Sequence, residues 1–195
     1  MMLQSLKNIE ELSLNIPSKE EKLELWKFVE ALGKIAHQMR KLEVEFYSKD
    51  IHEHEQFNLV HVIGKMKKLR EFGVSGISFK TKEVLVQFGE RLKALHGLKK
   101  VLWEKFEVPE GTGENFVEIV EMIAVKKGIE ELVIKYRSQD KLKVYKSLDW
   151  GQVLERNPGL RFVKIESRNI LTFQYGKDFE QIKFSVPRNG YIICI

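Results

Sequence analysis

Cysteine is all but missing from this chain: Cys194 is the one thiol in 195 residues. A single thiol excludes an internal disulfide framework. Second from the end, it is also misplaced for prenylation, which uses the fourth residue from the C-terminus. No Asn-x-Ser/Thr glycosylation acceptor occurs. No apolar run approaches the roughly 18 residues that span a bilayer, and Met1–Lys7 lacks the basic-then-apolar pattern of a secretory signal. These absences point to an intracellular, cytoplasmic protein with no membrane attachment.

Catalytic signatures are missing as well. There is no glycine-rich phosphate loop, no nucleophile elbow and no clustered acid–base group. His52-Glu53-His54-Glu55 comes nearest to a metal motif. On a helix, residues two apart point in different directions, and a two-histidine zinc site there uses a spacing of four. His54 and His61 share a face, but two turns separate them by roughly 10 Å. The plain reading is a solvated helix start. The expectation is therefore a protein without metal, cofactor or enzymatic activity.

What the chain does contain is a core. Hydrophobic residues make up 43% and charged residues 31%, the balance of a folded domain and not of a disordered chain. The net charge of +5 is unevenly spread. Residues 1–60 hold 8 basic and 11 acidic side chains, 61–110 hold 11 and 6, and 111–195 hold 14 and 11. Lys65-Met66-Lys67-Lys68-Leu69-Arg70 and Lys99-Lys100 supply much of the excess. Solvated turns between helix and strand account for them. A basic adaptor contacting nucleic acid is the alternative.

The core-forming residues repeat. Ile129, Leu132 and Ile134 occupy three slots spaced by three residues and then two. The same slots are filled by Ile9, Leu12, Leu14; Met39, Leu42, Val44; Leu69, Phe72, Val74; Leu98, Val101, Trp103; and Leu160, Val163, Ile165. The middle slot falls at 12, 42, 72, 101, 132 and 163, so the steps are 30, 30, 29, 31 and 31. A fixed period in this range means a repeat architecture. Ten residues before the first slot stand Val29, Leu59, Phe88, Ile119 and Trp150, so a helical phase repeats with the strand phase.

Each unit reads as strand, turn, helix. The predicted strands are Ile9–Ile16, Leu42–Tyr47, Phe72–Phe79, Lys100–Val108 and the stretch around Leu132–Ile134. Ser18 with Glu21, and Asp50 with Glu53, have the spacing of capping boxes, and Thr81 is placed to cap a third helix. The fifth helix, around Leu148–Arg156, is the shortest. Gly97, Gly128 and Gly159 each precede a first slot, where a left-handed residue ends a helix. After Arg168 the period breaks. Leu171–Tyr175 alternates like a strand, and Ile182–Val186 and Tyr191–Ile195 flank the hairpin signal Asn189-Gly190. This tail, about 169–195, reads as a β-rich cap closing the array.

The slots and the helix phase, over about residues 9–168, resemble a leucine-rich repeat protein of the long-repeat, ribonuclease-inhibitor-like subclass. The resemblance implies an α/β fold: a right-handed β/α solenoid with a parallel sheet on the concave side and helices on the convex side. It also implies a single domain over 1–195 and a role as a protein–protein interaction module or scaffold. One departure stands out. The family places Asn or Cys eight residues after the first slot, where its side chain bonds turn backbone. Here those positions are Pro17, Tyr47, Ile77, Phe106, Arg137 and Arg168.

The period also says which side chains face outward, because strand side chains alternate. Before the middle slot come Glu11, Lys41, Glu71, Lys100 and Glu131, a ladder of alternating charge. After it come Ser13, Glu43, Gly73, Leu102, Val133 and Lys164. Leu102 and Val133 break the polar rule on neighbouring strands, and Phe162 replaces a charge one repeat later. The three are expected within roughly 10 Å of one another, rimmed by Lys100, Glu104, Glu131, Lys135 and Lys164. Such an apolar island is how an anchor for a protein partner looks. The first strand should present an unpaired edge with Leu12 and Leu14 only partly covered, a second place for a partner to dock.

Overall fold

The structure is a computed structural model that describes residues 9–16, 25–47, 51–136, 148–167, 172–176 and 179–185. Strands and helices alternate through most of the chain. The strands are β1 Glu11–Ile16, β2 Lys41–Phe46, β3 Glu71–Ser75, β4 Lys100–Phe106, β5 Glu131–Tyr136 and β6 Phe162–Ser167. The helices between them are α1 Leu25–Ile35, α2 Glu53–Gly64, α3 Lys82–Lys93, α4 Gly113–Ala124 and α5 Trp150–Arg156. Two further strands, β7 Thr172–Gly176 and β8 Phe179–Ser185, follow. One sheet takes all eight in sequence order. The first six are parallel, and β7 and β8 join antiparallel.

The register follows the repeat. Leu12, Leu42, Phe72, Val101, Leu132 and Val163 lie side by side across the six parallel strands. From the second repeat onward every one of the three slots is buried, none more than 3% exposed. The helix phase behaves the same way: Val29, Leu59, Phe88, Ile119 and Trp150 are all in the core. Side chains from both layers thus meet on one face of the sheet, each buried aliphatic residue contributing about 1.5–3 kcal/mol. Between β3, β4, α3 and α4 the filling is aromatic. Trp103 lies 4.4 Å from Phe106, 5.0 Å from Phe88 and 5.3 Å from Phe116, ring centre to ring centre. On the first strand, by contrast, Ile9, Leu12 and Leu14 are only half-buried.

Several local expectations need correcting. The second helix begins at Glu53, so Glu53 is a first-turn residue and not the partner of an Asp50 cap. His52 is the cap, and its N–H donates to Glu55 Oε2 at 3.0 Å. Ser18, Glu21 and Asp50 themselves lie outside the described residues. Thr81 does cap α3, accepting from the Val84 N–H at 3.4 Å. Asp149 caps α5 through the Gln152 N–H at 3.2 Å.

Of Gly97, Gly128 and Gly159, Gly128 alone is left-handed, at φ 97°. The sequence missed the position where glycine is obligatory. Gly76 has φ 78°, and a Cβ there would stand 1.9 Å from the Phe46 carbonyl oxygen, so only a bare backbone fits beside the end of β2. The third strand stops at Ser75 for this reason, well before the Phe79 expected. The region after Arg168 continues the sheet edge-on through β7 and β8. The hairpin expected around Asn189-Gly190, and Cys194, lie outside the described residues.

Candidate interaction surface

The helices cover one face of the sheet, and the other carries the outward side chains in rows that cross the strands. The row nearest the strand starts runs Glu11, Lys41, Glu71, Lys100, Glu131, Phe162. Its charges pair laterally. Lys41 Nζ lies 3.8 Å from Glu71, and Lys100 Nζ 2.9 Å from Glu131. Lys41 also meets Glu43 of its own strand at 3.2 Å. These bonds raise both ammonium groups above the ordinary lysine value, Glu43 acting first on Lys41 and Glu131 on Lys100.

The middle row runs Ser13, Glu43, Gly73, Leu102, Val133, Lys164. Gly73 leaves a gap in it, and a depression of about 230 Å³ opens there, walled by Glu43, Leu102 and Lys105 among others. In the third row, Lys135 pairs with Glu104 on the neighbouring strand.

Lys105 was not singled out by the sequence. It is the extra residue of a bulge in β4, where the register slips between Glu104 and Phe106. Its φ of 50° is the sole positive value at a non-glycine among the described residues. The bulge sends its side chain over β3 to Glu45 on β2, Nζ to Oε1 2.8 Å. The other oxygen of Glu45 accepts from the Tyr47 hydroxyl at 3.1 Å. The Lys105 bond, reinforced by Tyr47, holds the Glu45 carboxyl below the usual glutamate value, while Glu45 raises the Tyr47 phenol.

Within this face stand Leu102 and Val133, directly opposed on β4 and β5. Phe162 is opposed to Glu131 on the next strand pair, one diagonal step from Val133. All three are half-buried. Around them lie the paired Lys100 and Glu131, the paired Glu104 and Lys135, and Lys164 beside Val133. The register thus brings all eight expected residues onto one surface. The β7–β8 pair extends the sheet instead of folding across it.

No family model, curated protein or solved structure matches this chain. The surface must therefore be read from its own chemistry. Among the described residues no group of three or more His, Cys, Asp or Glu side chains is placed to hold a metal ion, and no helix is long and apolar enough to cross a membrane. His52 and His54 stack at 5.8 Å at the start of α2.

Two further polar residues escaped the sequence reading because they are buried. Gln56, 0% exposed, donates from Nε2 to the Ser78 carbonyl at 2.7 Å and accepts from the Lys80 N–H at 3.1 Å. Asn157, 1% exposed, donates to the Ala124 and Ile129 carbonyls at 3.0 and 2.9 Å. Each reaches from one unit into a turn of its neighbour. They bond turn backbone from the helix side.

Proposed function

We propose that this chain is a non-catalytic interaction module of the leucine-rich repeat, ribonuclease-inhibitor-like kind: a right-handed β/α solenoid that binds a protein partner on the concave face of its sheet. The alternating strands and helices, the six parallel strands and the regular register are compatible with that architecture.

The observation that carries the functional reading is the island of Leu102, Val133 and Phe162. Sheet faces open to water alternate apolar-in and polar-out, and the other described positions in these rows are polar, charged or glycine. Three apolar side chains amid lateral ion pairs combine a desolvatable centre with a charged rim, the composition of a binding hot spot. Exposed ion pairs of this kind add little affinity but set orientation and exclude ill-matched partners. The outer edge of β1 is a second docking place in the same reading, since no described strand pairs with it.

The test is comparative affinity purification from the source cells, using the unaltered protein, a Leu102→Ser/Val133→Ser variant and a helix-face control such as Gln87→Ser. A stoichiometric protein retained by the control and lost by the double variant is the expected result. An identical partner set for all three would refute the assignment to this face.

A further inference from the structure

The edge of the sheet at the strand starts is charged quite differently from the open face. Five segments bring the chain from a helix to the next strand: 36–41, 65–70, 93–100, 125–131 and 156–161. They hold thirteen lysines and arginines against two glutamates. Basic residues in the last turn of a helix are accounted for by the helix dipole. That covers Lys34, Arg91, Lys93 and Arg156. It does not cover Lys67, Lys68, Arg70, Lys127 or Arg161, which lie beyond the helix ends.

The backbone aligns this edge. The N–H groups of Arg70, Lys99, Glu130 and Arg161 donate to the carbonyls of Arg40, Arg70, Lys99 and Glu130 in turn, at 2.7–2.8 Å. Equivalent side chains are thereby set in a line at the strand spacing of about 4.8 Å. Within the line Arg40 is neutralised by Glu10 and Lys99 by Glu130. Lys65, Lys67, Lys68 and Arg70 are exposed and form no ion pair with an acidic side chain among the described residues, and the same holds for Lys127 and Arg161, although Arg161 stands near enough to Glu130 to help lower its carboxyl after Lys99. Among the described residues two groups of cations thus stand without an ion pair, one on the approach to β3 and one on the approaches to β5 and β6.

We infer that this edge binds the phosphate backbone of a nucleic-acid duplex, the 65–70 turn gripping one strand and Lys127 with Arg161 the other. Two strand spacings to Lys127 and three to Arg161 separate the groups by about 10–14 Å, which brackets the roughly 12 Å width of the major groove of B-form DNA. The edge has no stacking platform. Among the described residues the exposed large hydrophobic side chains are Trp26 and Tyr47, and both stand near the opposite ends of their units, after a strand or at a helix start. Recognition of single strands relies on such rings, and membrane attachment on an apolar wedge beside the charge. Neither is provided. Contacts to phosphate alone give affinity without sequence preference. The site is separate from the open face, so both can be occupied together.

The experiment measures binding of fluorescent DNA and RNA duplexes of about 20 base pairs by anisotropy, over salt from about 50 to 200 mM. Single strands and phosphatidylcholine vesicles with about 30% phosphatidylserine serve as competitors. The expectation is a dissociation constant in the micromolar range, with log K falling against log salt at a slope of about −4.5 to −5.5 for five or six neutralised phosphates. Lys65→Gln/Lys67→Gln/Lys68→Gln/Arg70→Gln should weaken binding at least tenfold and flatten the slope by about 3.5. Lys127→Gln/Arg161→Gln, the check should the first variant misfold, should flatten it by about 2. The two duplexes compared decide between DNA and RNA. Preference for single strands or for vesicles, or an unchanged slope in a folded variant, would overturn the proposal.

Discussion

Replacing Gln56 with Met keeps the length of a buried side chain and removes its two hydrogen bonds. Gln56 sits on α2 in the second unit, while its partners, the Ser78 carbonyl and the Lys80 N–H, lie in the third. Each bond contributes about 1 kcal/mol net, a loss that rises to about 1–3 kcal/mol where the partner is left dry. Ser78 is half-buried and Lys80 exposed, so water partly rescues both, which puts the loss near the lower end. The thioether, better suited to a dry site, offsets about 1 kcal/mol. A net destabilisation of about 2 kcal/mol follows, a sizeable share of the 5–15 kcal/mol typical of a domain. Guanidinium denaturation followed by circular dichroism should show a lower midpoint with unchanged slope. Hydrogen exchange should show the Lys80 amide losing protection. Gln56→Glu supplies a control with a pH signature. Its carboxylate still accepts from Lys80 but opposes the Ser78 carbonyl, so burial raises its folded pKa above the unfolded value. The stability it lacks at neutral pH should therefore return as pH falls. A Gln56→Met protein as stable as the parent, with Lys80 still protected, would refute the inter-unit role.

The two faces of β5 should respond oppositely to the same chemistry. Leu132→Ser/Ile134→Ser opens two fully buried sites at about 3–5 kcal/mol each and should unfold the middle of the array, whereas Leu102→Ser/Val133→Ser should cost under about 1 kcal/mol per site; equal losses by thermal melting would refute the register. At the bulge, the Lys105 bond depresses the folded pKa of Glu45, so its stabilisation is present above the unfolded value of about 4.3 and lost as pH falls through the folded one. Glu45→Gln should be less stable than the parent at pH 7 and should converge on it as pH falls below the folded value of Glu45; a difference that persists in strong acid would exclude this pair as its source.

The regular part of the fold could be read from the chain because a repeat constrains it many times over. One residue of slip would move every slot to the wrong face, and six copies agree on Leu12, Leu42, Phe72, Val101, Leu132 and Val163. The open-face rows then followed from alternation alone. Features that occur once could not be read this way. Lys105 differs from other strand-end residues only through its left-handed backbone. Gly76 is required by one carbonyl oxygen, and glycine in a sequence does not announce which neighbour crowds it. Gln56 and Asn157 look like exposed polar residues of helices and turns until a neighbouring unit buries them. Glycine before a first slot suggested three left-handed turns, yet Gly97 and Gly159 leave their helices without one, because the chain can also turn there through ordinary backbone conformations.

Repetition has a further consequence for locating function. In an array, a position that serves only the fold is filled alike in every copy, since each unit meets the same neighbours. The buried slots meet that standard from the second unit onward, and the first open-face row keeps a regular alternation of sign as far as Glu131. Departures from sameness then mark where something other than folding is served. On the open face they coincide at the third to sixth strands: Gly73, Leu102, Val133 and Phe162 interrupt the polar rows, and the Lys105 bulge breaks the register beside them. At the strand-start edge the departure is one of charge, with Lys65, Lys67, Lys68 and Arg70 unpaired among the described residues where Arg40 and Lys99 each find a glutamate. A solvated surface has no reason to concentrate its irregularities on one stretch of sheet. On the proposed reading a partner that spans several strands does, because its anchor must meet adjacent units at once. The same reasoning separates the two surfaces: an apolar anchor gains nothing from the free cations, and a phosphate backbone gains nothing from Leu102 or Val133. Substitutions at one should therefore leave binding at the other unchanged.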